Sequence, residues 1–343
     1  MNGLTDYPQT AWNTPPTDRW LALCDQLQGY PPAPPQLRVR NLERKWEMVS
    51  AYQKSVRRGL KDQALWLVGG FLSFGRGEAK YFWRRICTTV AEDVGYGDPE
   101  AMNFAVACVV LYGSVKTPIE SMYSTWCFLT EQLCSTQRSR VYCQLSIIEG
   151  AIRRGQPVET LTDWEIEIVE ALAHPQAMDA KRVWAERNNW RCEGMLHFQH
   201  MQFSGVEIGR GPQPRDYRLI ADLPDFAYDV HTRIGRAVCA RLCAHEPIRQ
   251  FLADNPSSQE ESRAIGMALF FAEGGLIRDG LADSRLSLLE QKYVAASFGW
   301  TAVTWLRFVD VLREASDSGV VNVFRERTLA DRRYAPLCEP LLL

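Results

Sequence analysis

Apolar residues recur at three- and four-residue spacing almost without interruption from residue 42 to 173, the signature of one buried face per helix. The spacing predicts helices near 43–58, 62–74, 78–91, 99–112, 119–134, 138–152 and 163–173. The last carries its own start signal, a capping box of Thr162 and Glu165 ahead of the stripe Trp164, Ile168, Val169 and Leu172, and His174-Pro175 closes it. After a stretch of different texture the pattern resumes at 228–245, 259–273 (with Ser258 and Glu261 as a second capping box), 284–298 and 301–315, where Ile265, Leu269, Leu286, Leu289, Val303, Leu306, Val309 and Leu312 mark core or interface faces. Residues 201–208 and 217–223 flank a Gly/Pro loop and read as a small β-hairpin. The first 41 residues are Pro-rich, with one short helix at 18–27. Prolines deny this lead a hydrogen-bonded ladder, while Trp12, Trp20, Leu21 and Leu23 equip it to lie on its own body or on a neighbouring subunit, the first favoured by its high effective concentration. The fold class is therefore mainly α: an arm at 1–41, a helical bundle at 42–175, and a second, mostly helical domain at 176–343 with a hairpin within 201–223.

Polar residues that break this pattern carry most of the information. Glu92-Asp93 follow an apolar helix and precede Gly95, so two acids stand where the helix dipole favours cations. They are expected to answer specific donors, Arg84, Arg85 or the free amides of the next helix. Asp98 then supplies an N-cap, Pro99 suits the first helical position and Glu100 the positive helix end. Bracing of this acidic corner is the plain structural reading of Glu92 and Asp93.

The ordered set Ser55, Val56, Arg57, Asp62, Ala64, Leu65, Trp66 or Leu67, then Arg84, Arg85, Ile86, then Glu92, Asp93, Val94, Gly95, Asp98, Pro99 resembles the C-terminal region of the MgsA/RarA family of AAA+ ATPases, relatives of the Werner-helicase-interacting protein and of clamp loaders. The likeness spans residues from about 44 to 115. Arg58, Ala91 and Gly97 stand where the family has Gly, Ser and Ala. The resemblance implies a clamp-loader-like helical collar that holds protomers together as a homo-oligomer, a tetramer in that family. A nucleotide-hydrolysing P-loop needs G-x-x-x-x-G-K-[ST], and no Gly-Lys-Ser or Gly-Lys-Thr occurs in this sequence. The expectation is a collar without its motor, and no cofactor.

Composition places few limits on this picture. The 343 residues are 46% hydrophobic and 23% charged, with a formal net charge of −2, which argues against wholesale coating of nucleic acid but allows a local basic stripe. The ten cysteines are scattered through apolar segments, as reduced, buried thiols are. The N-terminus lacks the basic-then-apolar order of a signal peptide, and the longest apolar run, Phe104 to Tyr112, falls short of the about 20 residues that span a bilayer. A cytoplasmic protein is expected.

Three further constellations deserve chemistry. Arg210 and Arg215 bracket the hairpin loop, as phosphate contacts or as solvated arginines. Asp229, His231 and Arg236, with Thr232 between, combine a carboxylate, an imidazole and a guanidinium suited to binding phosphate or a base, or to acid-base catalysis; the plainer reading makes Asp229 the cap of the following helix, with Gly235 allowing close packing. His197, His200, Cys239 and Cys243 offer metal-ligating atoms at spacings unlike structural zinc sites, and Cys239 and Cys243 at helical separation read as two small side chains on one face, so no metal is expected. The arginine-rich segment from Arg325 to Arg333 reads as a basic tail.

Together these features predict a non-catalytic accessory protein of DNA replication, recombination or repair. Its partners would be DNA, replication or repair proteins, or a separate AAA+ ATPase, with Arg57, Arg58, Arg84 and Arg85 as contacts to DNA or to a neighbouring subunit. The rivals are an enzyme acting on nucleic acid or nucleotides through Asp229, His231 and Arg236, and a purely structural assembly protein. An enzyme should gather its polar groups around a concave pocket, whereas a scaffold should leave them as caps and surface ion pairs.

Overall fold

In the computed structural model, the described residues are 3–6, 15–31, 44–72, 76–112, 119–158, 160–173, 216–273 and 284–334. They form a mainly α-helical protein. Helix α1 (Asp18–Gly29) starts on Thr17, whose hydroxyl accepts from the Trp20 amide, and buries Trp20, Leu23, Cys24 and Leu27. It is followed by α2 (Lys45–Arg58), α3 (Lys61–Leu72), α4 (Arg76–Thr89), α5 (Pro99–Tyr112), α6 (Ile119–Ser135), α7 (Val141–Arg153) and α8 (Asp163–Ala173). Further on come α9 (Arg233–Leu242), α10 (Glu246–Asp254), α11 (Glu261–Glu273), α12 (Ser284–Ser297), α13 (Ala302–Asp317) and α14 (Val320–Leu329).

The arm helix lies on its own body. Trp20 packs edge-on against Phe104 of α5 at 5.2 Å, and Arg19 pairs with Asp98 at the α5 N-terminus. Asp98 caps α5 by accepting the Ala101 amide at 3.1 Å. The Thr162–Glu165 box also forms, with amide-to-side-chain bonds in both directions. Ser258 does not form the second box; its amide and hydroxyl turn instead to the carbonyls of Phe298 and Ser297.

Three segments depart from the sequence pattern. The predicted helix 228–245 begins only at Arg233, because Thr232 caps it through the Gly235 amide at 3.0 Å, and it ends at Leu242, with α10 a separate helix. Strand β1 (Leu219–Ile220) pairs antiparallel with β2 (Leu223–Pro224) across the positive-φ residues Ala221 and Asp222, so this ribbon is tighter than the hairpin expected over 201–223; residues 201–215 lie outside the described set. Arg325, placed by sequence in a basic tail, sits fully buried in α14 and donates to Glu273 of α11 at 2.6 Å.

One continuous cluster of buried side chains runs through elements on both sides of residue 175. In the first part, Phe71 stacks on Trp126 and Phe82, with Trp83 and Tyr52 edge-on to Trp126. In the second, Phe298 stacks on Trp305, and Trp300 meets Phe308 edge-on. Polar ties cross between the parts: Arg44 donates to the Tyr228 hydroxyl at 2.8 Å, Gln156 to the Tyr293 carbonyl at 2.6 Å, and Lys292 to Glu165 at 2.7 Å. No helix among the described residues is long and apolar enough to cross a membrane.

A candidate anion-binding cleft between the two parts

The Glu92-Asp93 corner owes its shape to a helix that widens. After Thr89 the last turn of α4 becomes π-helical over Val90–Val94, and Gly95, at φ 40°, stops it. The extra residue in a π turn redirects side chains, and such turns are frequent at functional sites. Here it sends Asp93 into the protein, where Arg57 donates through Nε at 2.5 Å and Arg140 Nη1 stands 3.6 Å away. Neither Arg84 nor Arg85 is a hydrogen-bond partner of these acids, contrary to the sequence expectation. Arg84 is exposed, and Arg85 reaches Gln53 Oε1 at 3.3 Å. Gln53 in turn donates to Glu92 at 2.5 Å.

Opposite this corner, the Asp229 segment leaves the 3₁₀ turn Asp225–Ala227 and doubles back. The Asp229 carboxylate accepts the His231 amide at 2.9 Å and the Ser50 hydroxyl at 3.1 Å, and forms an ion pair with the buried Lys54 at 2.6 Å. Asp229 is thus not the cap of α9. Gly235 is required by this turn, because a Cβ there would run into the Asp229 carbonyl. Lys54 is clamped further by the Phe226 carbonyl.

Between these two acidic points lies a cavity of about 440 Å³ lined by α2, α4 and its π turn, α7, the Asp229–His231 turn and α11. Four cations border it, Lys54, Arg57, Arg85 and Arg140, with the carboxylates Glu92 and Asp229 and, at one side, Trp46 and Phe270. Lys54, Arg57 and Arg140 all lie within 5.5–5.9 Å of the Phe270 ring centre, close enough for cation–π attraction. His231 meets Phe270 edge-on at 5.6 Å and is exposed at the mouth.

Electrostatics follow from crowding. Burial lowers the Lys54 ammonium, and Asp229 works against that. Burial alone would raise the Asp229 carboxyl, but Lys54 and His231 outweigh it and hold it below its ordinary value. Burial first, then the charge of Asp93, raises Glu92. Desolvation together with Lys54, Arg57 and Arg236 holds the His231 imidazole below 6.5 against the pull of Asp229. Next to the cleft, burial pushes Glu290 on α12 to about 7, despite the nearby Arg140.

The structure thus brings Arg57, Arg85, Glu92, Asp229 and His231 to one cleft, with Asp93 packed beneath. Arg58 is not on a surface; it lies over the Phe226 ring at 4.3 Å and donates to the Glu273 carbonyl. Arg236 is exposed, with Nη1 3.3 Å from the His231 carbonyl, and does not line the cavity. Cys239 is buried in α9 and Cys243, half-buried, caps its C-terminus, with burial pushing the Cys239 thiol to about 12, and no group of His, Cys, Asp and Glu among the described residues could hold a metal. His197, His200, Arg210 and Arg215 lie outside the described residues. Sequence reasoning missed Lys54, Gln53 and Arg140. Lys54 sits one turn before Arg57 on a helix whose neighbours are buried, and a cation at such a position was the available signal.

These features define a mainly α-helical protein whose parts meet over a polar, cation-rich cleft. Sequence comparison adds one relationship. A 65-residue segment, 19% of this chain, is 40% identical to Replication-associated recombination protein A of Haemophilus influenzae. The match spans 14% of that protein's length. The chain matches no protein-family model and no solved structure.

Proposed function

We propose that this protein is an accessory factor of DNA replication and recombination, built on a helical module related to the collar of Replication-associated recombination protein A and acting by binding and positioning rather than by nucleotide hydrolysis. The observation that carries this reading is the 40% identity over 65 residues. The Arg57, Arg84-Arg85, Glu92-Asp93 and Asp98-Pro99 signature belongs to a stretch of comparable length. In this reading residues 42–175 are the collar, 176–343 a second domain docked on it, and the assembly a homo-oligomer that engages DNA, replication proteins or a separate AAA+ ATPase. Asp93 and Arg57 serve as the internal brace of the collar. Exposed Arg84 is the signature residue available to a phosphate backbone or a neighbouring subunit.

Affinity capture from the native host, with light scattering at several concentrations, tests this. Recovery of replication or recombination proteins by a concentration-dependent oligomer is the expected result. A monomer that retrieves only a metabolic enzyme would overturn it.

A second reading has one observation in its favour: Asp229 and His231 face a concave cavity together with Arg57 and Glu92, the arrangement expected of an enzyme acting on nucleotides or nucleic acid. Turnover of a nucleotide or DNA substrate that disappears in His231→Ala, with folding intact, would favour it over the accessory role.

A further inference from the structure

The strongest unassigned feature is the set of donors that the cleft presents. Arg57 is 2% exposed and Arg140 7%, yet Nη1 of each makes no hydrogen bond within the protein, that of Arg140 having only the Asp93 carboxylate at 3.6 Å, and Nε of Arg85 makes none either. All three arginines line the same cavity. A buried guanidinium N–H without an acceptor is costly, and three in one place point to a shared acceptor with several oxygens. The two carboxylates on the wall do not fill that role. Asp229 is engaged by Lys54, Ser50 and the His231 amide, and Glu92 already accepts from Gln53.

The remaining wall selects for a flat body. Phe270 is half-buried among cations already drawn to its face. Trp46 is 48% exposed on the lining, held edge-on by Tyr81 at 5.7 Å, with the Lys45 ammonium 5.9 Å from its ring centre. An exposed indole beside a cationic cavity is the pairing by which proteins stack a base while neutralising its phosphate. The volume of about 440 Å³ lies in the range of small-ligand sites, about 300–1,000 Å³, and excludes a duplex.

We propose that this cleft binds a phosphomonoester carried on a planar ring, the chemistry of a mononucleotide, with the phosphate on Arg57, Arg85 and Arg140 and the ring against Trp46. The ligand is either a free nucleotide or the phosphorylated end of a single strand. The inference rests on the cleft alone and is independent of the accessory role proposed above.

Calorimetric titration of the full chain tests it with thymidine and adenosine 5′-monophosphates, the matching nucleosides, inorganic phosphate, and a short single strand with and without a 5′-phosphate. The expected result is saturable binding of the monophosphates, with nucleoside and inorganic phosphate each weaker by about tenfold or more. Arg57 and Arg140 are tied to Asp93, so their replacement risks unfolding. Arg85→Gln and Trp46→Ala avoid that risk; each should weaken binding about tenfold while leaving the melting temperature unchanged. Competition by the phosphorylated strand but not its unphosphorylated twin assigns the ligand to a strand end, and its failure assigns it to free nucleotide. No saturation by either monophosphates or phosphorylated strand at millimolar concentration, equal binding of nucleoside and nucleotide, or full affinity in both variants would overturn the proposal.

Discussion

Two carboxylates, Asp93 packed beneath the cleft and Asp229 on its wall, solve the same problem with different cations. Asp93 is fully buried and is met by arginines, Arg57 through a hydrogen bond and Arg140 at longer range. Asp229 is 5% exposed and is met by one lysine, a hydroxyl and a backbone amide. The difference matters because a buried lysine can shed its proton when its partner is lost, whereas a guanidinium stays charged. The arginine side is therefore a rigid brace, and the lysine side a softer contact that responds to pH.

The harshest way to break the comparison is Asp93→Ala. It strands Arg57 in the interior, and urea denaturation should report a loss of about 4 kcal/mol that does not recover between pH 6 and pH 9. Next in size is Glu290, which stands behind Arg140 on the Asp93 side. Its folded carboxyl titrates near 7, against 4.5 for the unperturbed group, so the folded state holds a proton that the unfolded chain releases. Stability contributed by that proton is full below pH 4.5, falls as pH rises through that window and is lost above about 7. Glu290→Gln should therefore stabilise the protein by about 3 kcal/mol at pH 8 and not at pH 4. Thermal melts at the two pH values would check this, and equal effects at both would refute it.

Asp229→Ala sharpens the contrast. Its cost should be about 2 kcal/mol at pH 9 and larger at pH 6, because the stranded Lys54 sheds its proton at greater cost the lower the pH. A pH-independent loss matching that of Asp93→Ala would erase the distinction drawn here. Thr232→Ala removes the cap that ends the Asp229 turn and should cost about 1 kcal/mol in the same denaturation assay. Arg84→Ala, on the solvent side of α4, should change stability by less than about 0.5 kcal/mol. If Arg84 meets phosphate, the variant would still flatten the salt dependence of DNA binding by about one unit of slope.

Legibility differed along the chain for physical reasons. Helices α2 to α8 could be read to within a few residues because each buries one face and repeats it every turn. The cap at Asp98 and the box at Thr162 were visible because they are local, made within four residues. The start of α9 was misread because Asp229 and Thr232 are both good caps, and the choice between them depends on Lys54 and Ser50, some 180 positions earlier in the chain. Helix α14 was missed as a tail because its arginines look solvent-bound in sequence, while Glu273 on α11 buries one of them.

The cleft shows the same division. Composition and spacing alone determined that this is a helical chain and that Glu92-Asp93 break the dipole rule, and they left Asp229 open between a helix cap and a polar knot with His231. Only the tertiary structure decided that the two knots share a cavity, that Arg57 turns inward while Arg84 stays in water, and that Lys54 and Arg140 complete the charge set. Helix formation and capping depend on neighbours within a turn or two, and so are written locally. Which charges meet depends on packing between elements far apart in sequence, where burial makes an unpaired ion too costly to leave unanswered.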